Sequence, residues 1–354
     1  MRTKMFNNKF PLVSVVIPCF NSLSTIEQSL DSLLRINYPN FEVIVVDDQS
    51  SDGTYETLTK KFGRNIKMHI VRNEINSGPS KTRNVGVSMS KGKYIAFYET
   101  DMECDPEWMS TLVKKIESDK TIAAVQSRIL DINNREVIHS MGVLYDPHTF
   151  WVYSPGCGYQ RNWRPKSLEM GIGSVGSIVR KDVINKIGAF DEKIVHNLDD
   201  IDFGYRIWLT GYKSLAVPEA VTFHWTAKPA LVREKATSSI KSEMHFHKVF
   251  RIFLKNYEIK SILRYLPWLI FAYVLRSSYN LLKGNDKPFR ALLWSIYWNI
   301  VELPNTLRER NRIQSLRRRS DEEIFQIIGL SGSFFQVFMN KINFNLVKVQ
   351  EVFG

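Results

Sequence analysis

The sequence has few cysteines and no apolar run at its start. Three cysteines occur in 354 residues, Cys19, Cys104 and Cys157, and their wide spacing offers neither a CxxC metal pair nor a disulfide framework. Such sparse cysteine usage is typical of a reducing compartment. The opening segment, MRTKMFNNKF, lacks the apolar core of a secretory signal. We therefore expect the protein to stay in the cytoplasm.

The signatures of two other enzyme classes are also missing. No GxGxxG follows the first predicted strand, which disfavours a dinucleotide-dependent oxidoreductase. The loop after that strand, residues 18–22, lacks the Gly-rich, basic sequence that a sugar nucleotidyltransferase would need. No repeat or low-complexity tract occurs. The composition, 44% hydrophobic and 24% charged, is that of a folded globular protein.

The first 130 residues alternate strand-like and helix-like segments. Ser24–Arg35 carries apolar residues at helical spacing, and Ser24 and Glu27 match a capping box at its start. Strand, helix and strand in this order predict a right-handed crossover and hence a doubly wound α/β sheet. The predicted strands, most of them apolar on both faces as buried parallel strands are, are Leu12–Ile17, Phe41–Val46, Ile66–Val71, Lys93–Tyr98 and Thr121–Gln126.

Ligands of such sheets bind outside the carboxyl ends of the strands, so the loops there are the candidate sites. The loop after the second strand carries Asp47 and Asp48, whose carboxylates suit hydrogen bonds from a nucleotide base or ribose. An acidic turn that caps the next helix, with Asp52 and Gly53 as the turn, explains the same residues about equally well.

The segment Asn76–Gly86 has the features of a helix start near a phosphate. Gly78 permits a tight turn, Pro79 suits the first helical position, and Arg83 would lie on the first turns of the helix. A helix start with cationic side chains is a favourable neighbour for a phosphate. The alternative is an ordinary helix with a solvated arginine, which this segment by itself favours.

Acidic residues follow the fourth predicted strand. Glu99 and Asp101 alternate on an extended segment, so both carboxylates can point to one object. Mg²⁺ and Mn²⁺ prefer oxygen ligands, and Mg²⁺ typically uses one or two carboxylates together with substrate phosphates. The pair therefore predicts a divalent metal site, with simple exposed acids as the alternative.

These segments follow one another in an order that resembles the inverting family 2 glycosyltransferases of the GT-A fold. The resemblance implies an α/β, doubly wound, mostly parallel sheet in a catalytic domain at 1–227, with a nucleotide-sugar half at about 1–130 and an acceptor half at about 131–227. It implies transfer from a nucleoside-diphosphate sugar to a hydroxyl group. The matching segments are Ile17–Asn21, Val46–Thr54, Asn76–Gly86, Glu99–Asp101, Gly173–Arg180, Ile187–Glu192, Asp199–Phe203, Arg206, Gly211, Tyr212 and His224.

The resemblance also implies roles for the matching residues. It makes Asp200 the general base that takes the acceptor proton, although an N-terminal cap on a helix Asp200–Leu209 suits the same acids. It implies metal binding of Mg²⁺ or Mn²⁺ by Asp101, Glu99 and His224. The implied acceptor-binding residues are Gly173, Ser174, Asp199 and Asp200. The implied donor-binding residues are Pro18, Asn21, Asp47, Asp48, Asn76, Gly78, Arg83, Glu99, Thr100 and Asp101.

Two positions depart from the family pattern. Glu99 stands where the family's Asp-x-Asp begins, and Asp199 stands where the family has the Glu of a Glu-Asp pair. The longer Glu99 side chain still brings an oxygen ligand but shifts it by about one methylene. It supports a rival hypothesis, a non-catalytic member that binds a nucleotide sugar or glycan without turnover.

The last third of the chain, 228–354, is predicted to be a helical region rich in basic and aromatic residues. Tyr265–Leu282 and Ala291–Leu303 are rich in Trp and Tyr, but their uninterrupted runs stop short of the ~20 apolar residues that a transmembrane helix needs. Such helices suit the membrane interface. The basic segments Arg308–Arg312 and Arg317–Arg319 contribute to a net charge of +12 and would face anionic lipid. Packing of the helices on the catalytic domain or on a second copy is the alternative.

Partners and location follow from this interpretation. We expect a peripheral protein on the cytoplasmic face of the membrane, with a glycan or lipid-linked acceptor. A homo-oligomer stays open, because the apolar helices could pack on a second copy. Nucleic acid is not expected, since the basic run comes without a nucleic-acid-binding motif.

Overall fold

In the computed structural model, a mixed β-sheet with helices on both faces forms the centre of the molecule. The structure describes residues 10–146, 152–165, 167–172, 175–195, 197–225 and 246–329. The strands are β1 (Val13–Cys19), β2 (Phe41–Asp47), β3 (Met68–Arg72), β4 (Tyr94–Phe97), β5 (Met102–Cys104), β6 (Ile122–Asp131), β7 (Ile138–Ser140), β8 (Leu144–Tyr145), β9 (Val152–Tyr153), β10 (Ser177–Arg180) and β11 (Lys213–His224).

The helices flank the sheet in the first part of the chain and follow one another in the last part. A short 3₁₀ helix, Glu192–Ile194, precedes the sixth of them. The helices are α1 (Ile26–Leu34), α2 (Thr54–Phe62), α3 (Pro79–Met89), α4 (Trp108–Glu117), α5 (Lys181–Ile187), α6 (Asp199–Leu209), α7 (Phe246–Asn256), α8 (Ile259–Leu282), α9 (Lys287–Val301), α10 (Leu303–Gln314) and α11 (Asp321–Ile328).

The strand order is β3-β2-β1-β4-β10-β6-β11-β5, and β7 pairs with β6. The first four strands, in the order β3-β2-β1-β4, are parallel as predicted. β10 then enters antiparallel to both of its neighbours, so the rest of the sheet is mixed. The predicted α/β class is confirmed, with the parallel pairing concentrated in the first half.

Alternation along β1 explains how one strand supports two layers of helices. Val13, Val15 and Ile17 point into a cluster with residues of α1 and α4. Val16 points the other way, into a cluster with residues of α3, α5 and α6. Since both faces are covered, an apolar side chain at every one of these positions is stabilised by burial.

The five predicted strands are all present, with boundaries shifted by a few residues. The predicted capping box is wrong: α1 begins at Ile26, and its N-cap residue Thr25 makes no side-chain capping bond. Glu27 instead forms an ion pair with Lys61 of α2. The pairing across two helices replaces the local bond that the sequence pattern suggested.

The helices of residues 246–329 share a hydrophobic cluster with the acceptor half. Phe250 and Phe253 of α7 pack in one cluster with Ile201 and Trp208 of α6, and Tyr145 belongs to the same cluster. The predicted domain boundary near residue 227 falls within 226–245, outside the described residues, and stays a prediction. No helix in the described ranges has the length and apolarity needed to cross a membrane.

The arginines near the end of the described chain were predicted to face anionic lipid, and their contacts differ from that prediction. Four of those expected to face lipid donate to backbone carbonyls: Arg310 to Leu254 and Tyr257, Arg312 to Ile187, Arg317 to Asn256 and Arg319 to Gly211 and Tyr212. Carbonyls at loops and helix ends lack partners within the helix, so nearby cations satisfy them. For Arg310, Arg317 and Arg319, which are partly buried, the lipid-facing prediction is wrong. Arg312 keeps 42% of its side chain exposed, and for it the expectation stays a prediction.

Candidate active site

The carboxyl ends of β1, β2 and β4 converge, and the loops that leave them are joined by hydrogen bonds. The Asp48 amide donates to the Cys19 carbonyl at 2.7 Å. The Asn21 amide donates to the Ser50 hydroxyl at 2.9 Å, and the Asn21 side chain accepts from the Ser51 amide at 2.8 Å. Pro18 pairs with Val46 inside the parallel ladder. These predicted donor-site residues therefore lie together at the carboxyl edge of the sheet.

The two adjacent acids after β2 hold the loops that surround them. Asp48 accepts from the Asn73 side chain at 2.7 Å and from the amides of Ser77 and Gly78 at 2.9 Å and 2.8 Å. Asp47 is wholly buried and accepts from the Ser50 amide at 3.1 Å. Direct contact of either carboxylate with a nucleoside stays a prediction. In the structure both shape the loops that would receive one.

The alternative explanation for this loop, an acidic turn, applies to Asp52. Its carboxylate accepts from the Thr54 amide at 3.0 Å, at the start of α2, and from the Leu23 amide at 3.1 Å. Gly53 has a φ of +88°, a conformation in which glycine is unstrained. The loop thus contains a turn after the adjacent acids, and the two explanations concern different residues.

The start of α3 is built against the loop before α6. Asn76 donates to the Asp48 carbonyl at 3.1 Å. Gly78 has a φ of +82°, and a Cβ atom there would lie 2.4 Å from a methyl carbon of Val195. Only glycine fits such a close approach. Pro79 is the first residue of α3, as predicted.

Arg83 lies in the interior, between the segment after β4 and the start of α6. One terminal nitrogen of its guanidinium donates to Glu99 at 2.8 Å, and the other donates to Asp199 at 2.8 Å. Only 7% of the side chain is exposed, so the alternative of a solvated arginine is wrong. Its predicted proximity to a diphosphate stays a prediction. Arg83 connects the end of β4 with the start of α6.

Glu99, Asp101 and His224 form the candidate metal centre. One ligand atom from each lies within 4.8 Å of the other two. The Nε2 atom of His224 lies 3.3 Å from Asp101 Oδ1 and 3.7 Å from Glu99 Oε2. The His139 ring stacks on the His224 ring at 5.2 Å between centroids. Thr100, between the two acids, donates to the Ser22 hydroxyl at 2.9 Å.

The charges of this cluster are strongly coupled. Burial alone would raise the pKa of Glu99, but the hydrogen bond with His224 and the charge of Arg83 hold it well below its ordinary value. Burial alone would lower the pKa of His224, whereas hydrogen bonds with Asp101 and Glu99 and their charges raise it to about 10. Two carboxylates thus share one imidazolium, and a divalent cation would take the place of its proton.

The chemistry of the ligand set fits a divalent metal. Two carboxylates and one imidazole are hard and intermediate donors that Mn²⁺ accepts, while Mg²⁺ prefers oxygen throughout. Glu99 uses one carboxylate oxygen for Arg83, and the other faces His224. The longer arm of Glu99 therefore still brings an oxygen to the cluster.

Asp199 and Asp200, the predicted acceptor-side acids, begin α6. The preceding residues, Asn197 and Leu198, have left-handed φ values of +59° and +67°, which are strained for a leucine. Burial and the negative charge of Asp199 raise the pKa of Asp200 to about 7. Gly173 and Ser174, the other predicted acceptor residues, lie outside the described residues.

A family comparison supports what the geometry suggests. The profile of the family described as Glycosyl transferase family 2 matches residues 14–188. The chain carries a family 2 glycosyltransferase domain. The match includes the loops after β1, β2 and β4, and it ends before Asp199, Asp200 and His224.

Curated relatives of this family 2 domain are similar over parts of their length. Hyaluronan synthase from Pasteurella multocida is 32% identical over 126 residues, 36% of this chain and 13% of that protein. The putative teichuronic acid biosynthesis glycosyltransferase TuaG from Bacillus subtilis is 38% identical over 91 residues, 26% of this chain and 36% of that protein. The probable glycosyltransferase YdaM from the same organism is 27% identical over 228 residues, 62% of this chain and 52% of that protein. The chain spans only a part, about half at most, of the relatives it matches here.

Two solved structures share the fold. GalNAc-T7 with UDP, GalNAc and Mn²⁺ has a TM-score of 0.64 at 18% identity, over 91% of this chain and 58% of that one. The mannosyltransferase PcManGT from Pyrobaculum calidifontis, in complex with GDP-Man and Mn²⁺, has a TM-score of 0.50 at 18% identity, over 87% of this chain and 86% of that one. The predicted GT-A fold of the family 2 domain is confirmed.

Residues outside the family 2 motifs support the acceptor side, and sequence reasoning missed them. Lys255 of α7 is buried and lies 2.7 Å from Asp202. Arg251, one turn earlier, donates to Asp191 at 2.8 Å. Lys255 also pairs with Asp191. The spacing of four between the two cations on an apolar helix was a signal of ion pairs, but only the fold shows which acids they meet.

Proposed function

We propose that the protein is an inverting, metal-dependent glycosyltransferase that moves a sugar from a nucleoside-diphosphate sugar to a hydroxyl acceptor. One observation carries the proposal: Arg83 joins Glu99 of the candidate metal centre to Asp199, the neighbour of Asp200. This link supports a single site in which donor and acceptor meet, as a direct displacement requires. The two similar structures carry UDP or GDP-Man together with Mn²⁺.

The metal that we propose is Mn²⁺, held by Asp101, Glu99 and His224. The imidazole distinguishes the site from an all-oxygen one and favours Mn²⁺ over Mg²⁺. A divalent cation bound there would act as a Lewis acid for the charge that develops on the leaving diphosphate. The residues themselves orient the donor side: Arg83 fixes Glu99, and the Trp225 amide donates to the Asp101 carbonyl at 3.0 Å.

Asp200 is the proposed general base. An acceptor hydroxyl is a weak nucleophile until a carboxylate takes its proton. The raised pKa of Asp200, about 7, makes its carboxylate a stronger base than an ordinary aspartate. Attack from the side opposite the leaving group would invert the anomeric configuration. Asp199 is engaged by Arg83, so we assign the acceptor proton to its neighbour Asp200.

We further propose that the acceptor is a growing cell-surface glycan, carried on a lipid, and that the enzyme works at the cytoplasmic face of the membrane. The names of two relatives, hyaluronan synthase and a teichuronic acid biosynthesis glycosyltransferase, support a polysaccharide acceptor. The helices after α7 support a location near lipid through their exposed apolar side chains. A soluble saccharide acceptor would serve the same chemistry.

The test is release of nucleoside diphosphate from a panel of nucleotide sugars, with Mn²⁺, with Mg²⁺ and with a chelator. We expect turnover with Mn²⁺, less with Mg²⁺ and none with the chelator. His224→Asn should weaken Mn²⁺ binding about 10-fold or more, while the matched control His69→Asn, on the exposed side of β3, should leave it unchanged.

A second variant separates catalysis from binding. Asp200→Asn should lower kcat by about 10²–10⁴ with donor affinity nearly unchanged, since a general base contributes about that much. Asp182→Asn, an exposed acid on α5, is the matched control and should keep full activity. Donor binding without turnover in the wild-type protein, across a full acceptor panel, would support the rival binding protein instead.

A further inference from the structure

The outward side of α8 carries mainly apolar residues, whereas a helix on a water-exposed surface turns its polar residues outward. A narrow stripe of residues spaced by four, Leu269, Tyr273 and Ser277, is buried against the rest of the protein. The remaining arc is largely open to solvent. Its exposed apolar side chains are Leu263, Trp268, Ile270, Phe271, Val274, Leu275, Tyr279, Leu281 and Leu282, from 39% to 88% exposed.

The helix α9 repeats the pattern beside it. Its buried stripe contains Ser295 and Asn299, polar residues that donate to carbonyls of Ala291 and His247 respectively. Its exposed side chains are apolar: Leu293, Trp294, Ile296, Tyr297, Ile300 and Val301, from 37% to 66% exposed. Polar groups inside and apolar groups outside are what a helix presents to a lipid environment rather than to water.

The exposed charges around these two helices are almost all positive. Among the described residues 259–301, the exposed acid is Asp286. The exposed bases are Lys260, Arg264, Arg276, Lys283, Lys287 and Arg290. Basic side chains at the rim of an apolar helical face complement the phosphates of anionic lipid, with their aliphatic stems along the apolar surface.

We propose that the outward faces of α8 and α9, here called the docking face, insert into the interfacial layer of an anionic membrane. A second copy of the chain suits this surface less well, because a two-fold interface would bring the same basic rim against itself. A helix of 24 residues is about 36 Å long, so α8 lies along the membrane plane over the width of a small domain.

The docking face contacts α7, and α7 contacts the helix that begins with Asp199 and Asp200. His247 of α7 packs between Trp294 and Trp298 of α9, with ring centroids 4.8 Å apart in each case. Further along α7, Lys255 holds Asp202 of α6, the helix that begins with Asp199 and Asp200. This chain of contacts connects the proposed docking face with the helix that carries the proposed catalytic base. Membrane docking is independent of the sugar transfer proposed above, but the supply of a lipid-linked acceptor rests on both.

The experiment is flotation of the full chain with vesicles of phosphatidylcholine alone or mixed with phosphatidylglycerol. We expect flotation with the anionic vesicles and a much smaller floating fraction with the neutral ones or at high salt. The double variant with Trp268→Glu and Phe271→Glu should reduce the floating fraction at least 10-fold. The matched control, Ile66→Glu with Met89→Glu, places the same charges on exposed apolar positions of the nucleotide-sugar half and should float like the wild type.

Two readouts keep this test separate from the proposed reaction. Circular dichroism and the urea midpoint test whether both double variants fold. Nucleoside-diphosphate release without lipid should be equal in both. The proposal would be overturned if the α8 variant floated like the wild type, or if the wild type did not float with anionic vesicles. So would a wild-type dimer in light scattering that the α8 variant converts to a monomer without any vesicle binding. Loss of turnover with flotation intact would instead count against the reaction alone.

Discussion

The Arg83 guanidinium lies 2.8 Å from a carboxylate oxygen of Asp199. Its other terminal nitrogen donates to Glu99, so a single buried cation joins the candidate metal centre to the start of α6. The two acids approach from separate elements, the end of β4 and the start of α6. Arg83 therefore sets the separation between the groups that would hold the leaving diphosphate and the group that would activate the acceptor.

Replacement of this cation tests that role. Arg83→Met should lower the free energy of unfolding by about 3–5 kcal/mol, because removing one partner leaves buried carboxylates uncompensated. Arg83→Lys should recover part of the stability but little of the activity, since one ammonium does not reproduce the planar fork that binds both acids. Urea denaturation and turnover measure the two effects, with Arg64→Met, on the exposed surface after α2, as the control. Full activity of Arg83→Met would contradict the positioning role.

The pH dependence of the reaction should report the Asp200 carboxyl group. With a pKa of about 7, raised by burial and by Asp199, kcat/KM should fall tenfold per pH unit well below pH 7. Asp200→Asn should retain only a low activity, and that activity should not show this fall of kcat/KM at acidic pH. A limb near the ordinary aspartate value of 3.8 would show that the environment of Asp200 is not as described.

The same shift affects stability in the opposite sense. Because the folded carboxyl group binds its proton more tightly than the unfolded one, its contribution to stability is fully present below pH 3.8 and is lost as the pH rises to about 7. Between these values, Asp200→Asn should lose less stability than the wild type as pH increases. If the urea midpoints of the two proteins changed equally with pH between pH 3.8 and about 7, the assignment would be contradicted.

The buried ion pairs of α7 give a prediction for the C-terminal helices. Lys255 lies between Asp191 and Asp202 with 2% of its side chain exposed. Lys255→Met should lower the free energy of unfolding by about 3–5 kcal/mol, because two buried carboxylates lose a common partner. Lys260→Met, at a position with 65% of its side chain exposed, should change it little. Equal urea midpoints for the two variants would show that the α7 contacts do not hold α6.

The fold of the first half could be predicted because its signals are local. Apolar runs such as Phe41–Val46 can only be buried on both faces, and the carboxyl ends of parallel strands necessarily meet at one edge of the sheet. That placed Asp47, Asp48, Glu99 and Asp101 near one another. The hydrogen bonds of the loops could not be predicted. Almost every residue has a backbone amide, so the sequence does not show that the amide of Gly78 donates to Asp48.

For the C-terminal helices, the sequence predicted the composition but not the contacts. Their aromatic and basic character was evident, but the sequence does not distinguish an arginine that pairs with lipid from one that donates to a backbone carbonyl. Arg310 and Arg317 proved to be of the second kind. The partners lie 53 to 61 residues away in the chain, beyond the range of any helical spacing rule.

The sequence by itself determined the α/β class, the order of the strands along the chain and the set of acids available for a metal and a base, because periodicity and residue chemistry are properties of short segments. Only the tertiary structure decided that Arg83 links Glu99 with Asp199, that Asp48 holds the 73–78 loop, and that the apolar side of α8 faces outward. Those relationships depend on distances between segments that are remote in the chain. Packing of the whole molecule sets such distances, whatever the local pattern of each segment.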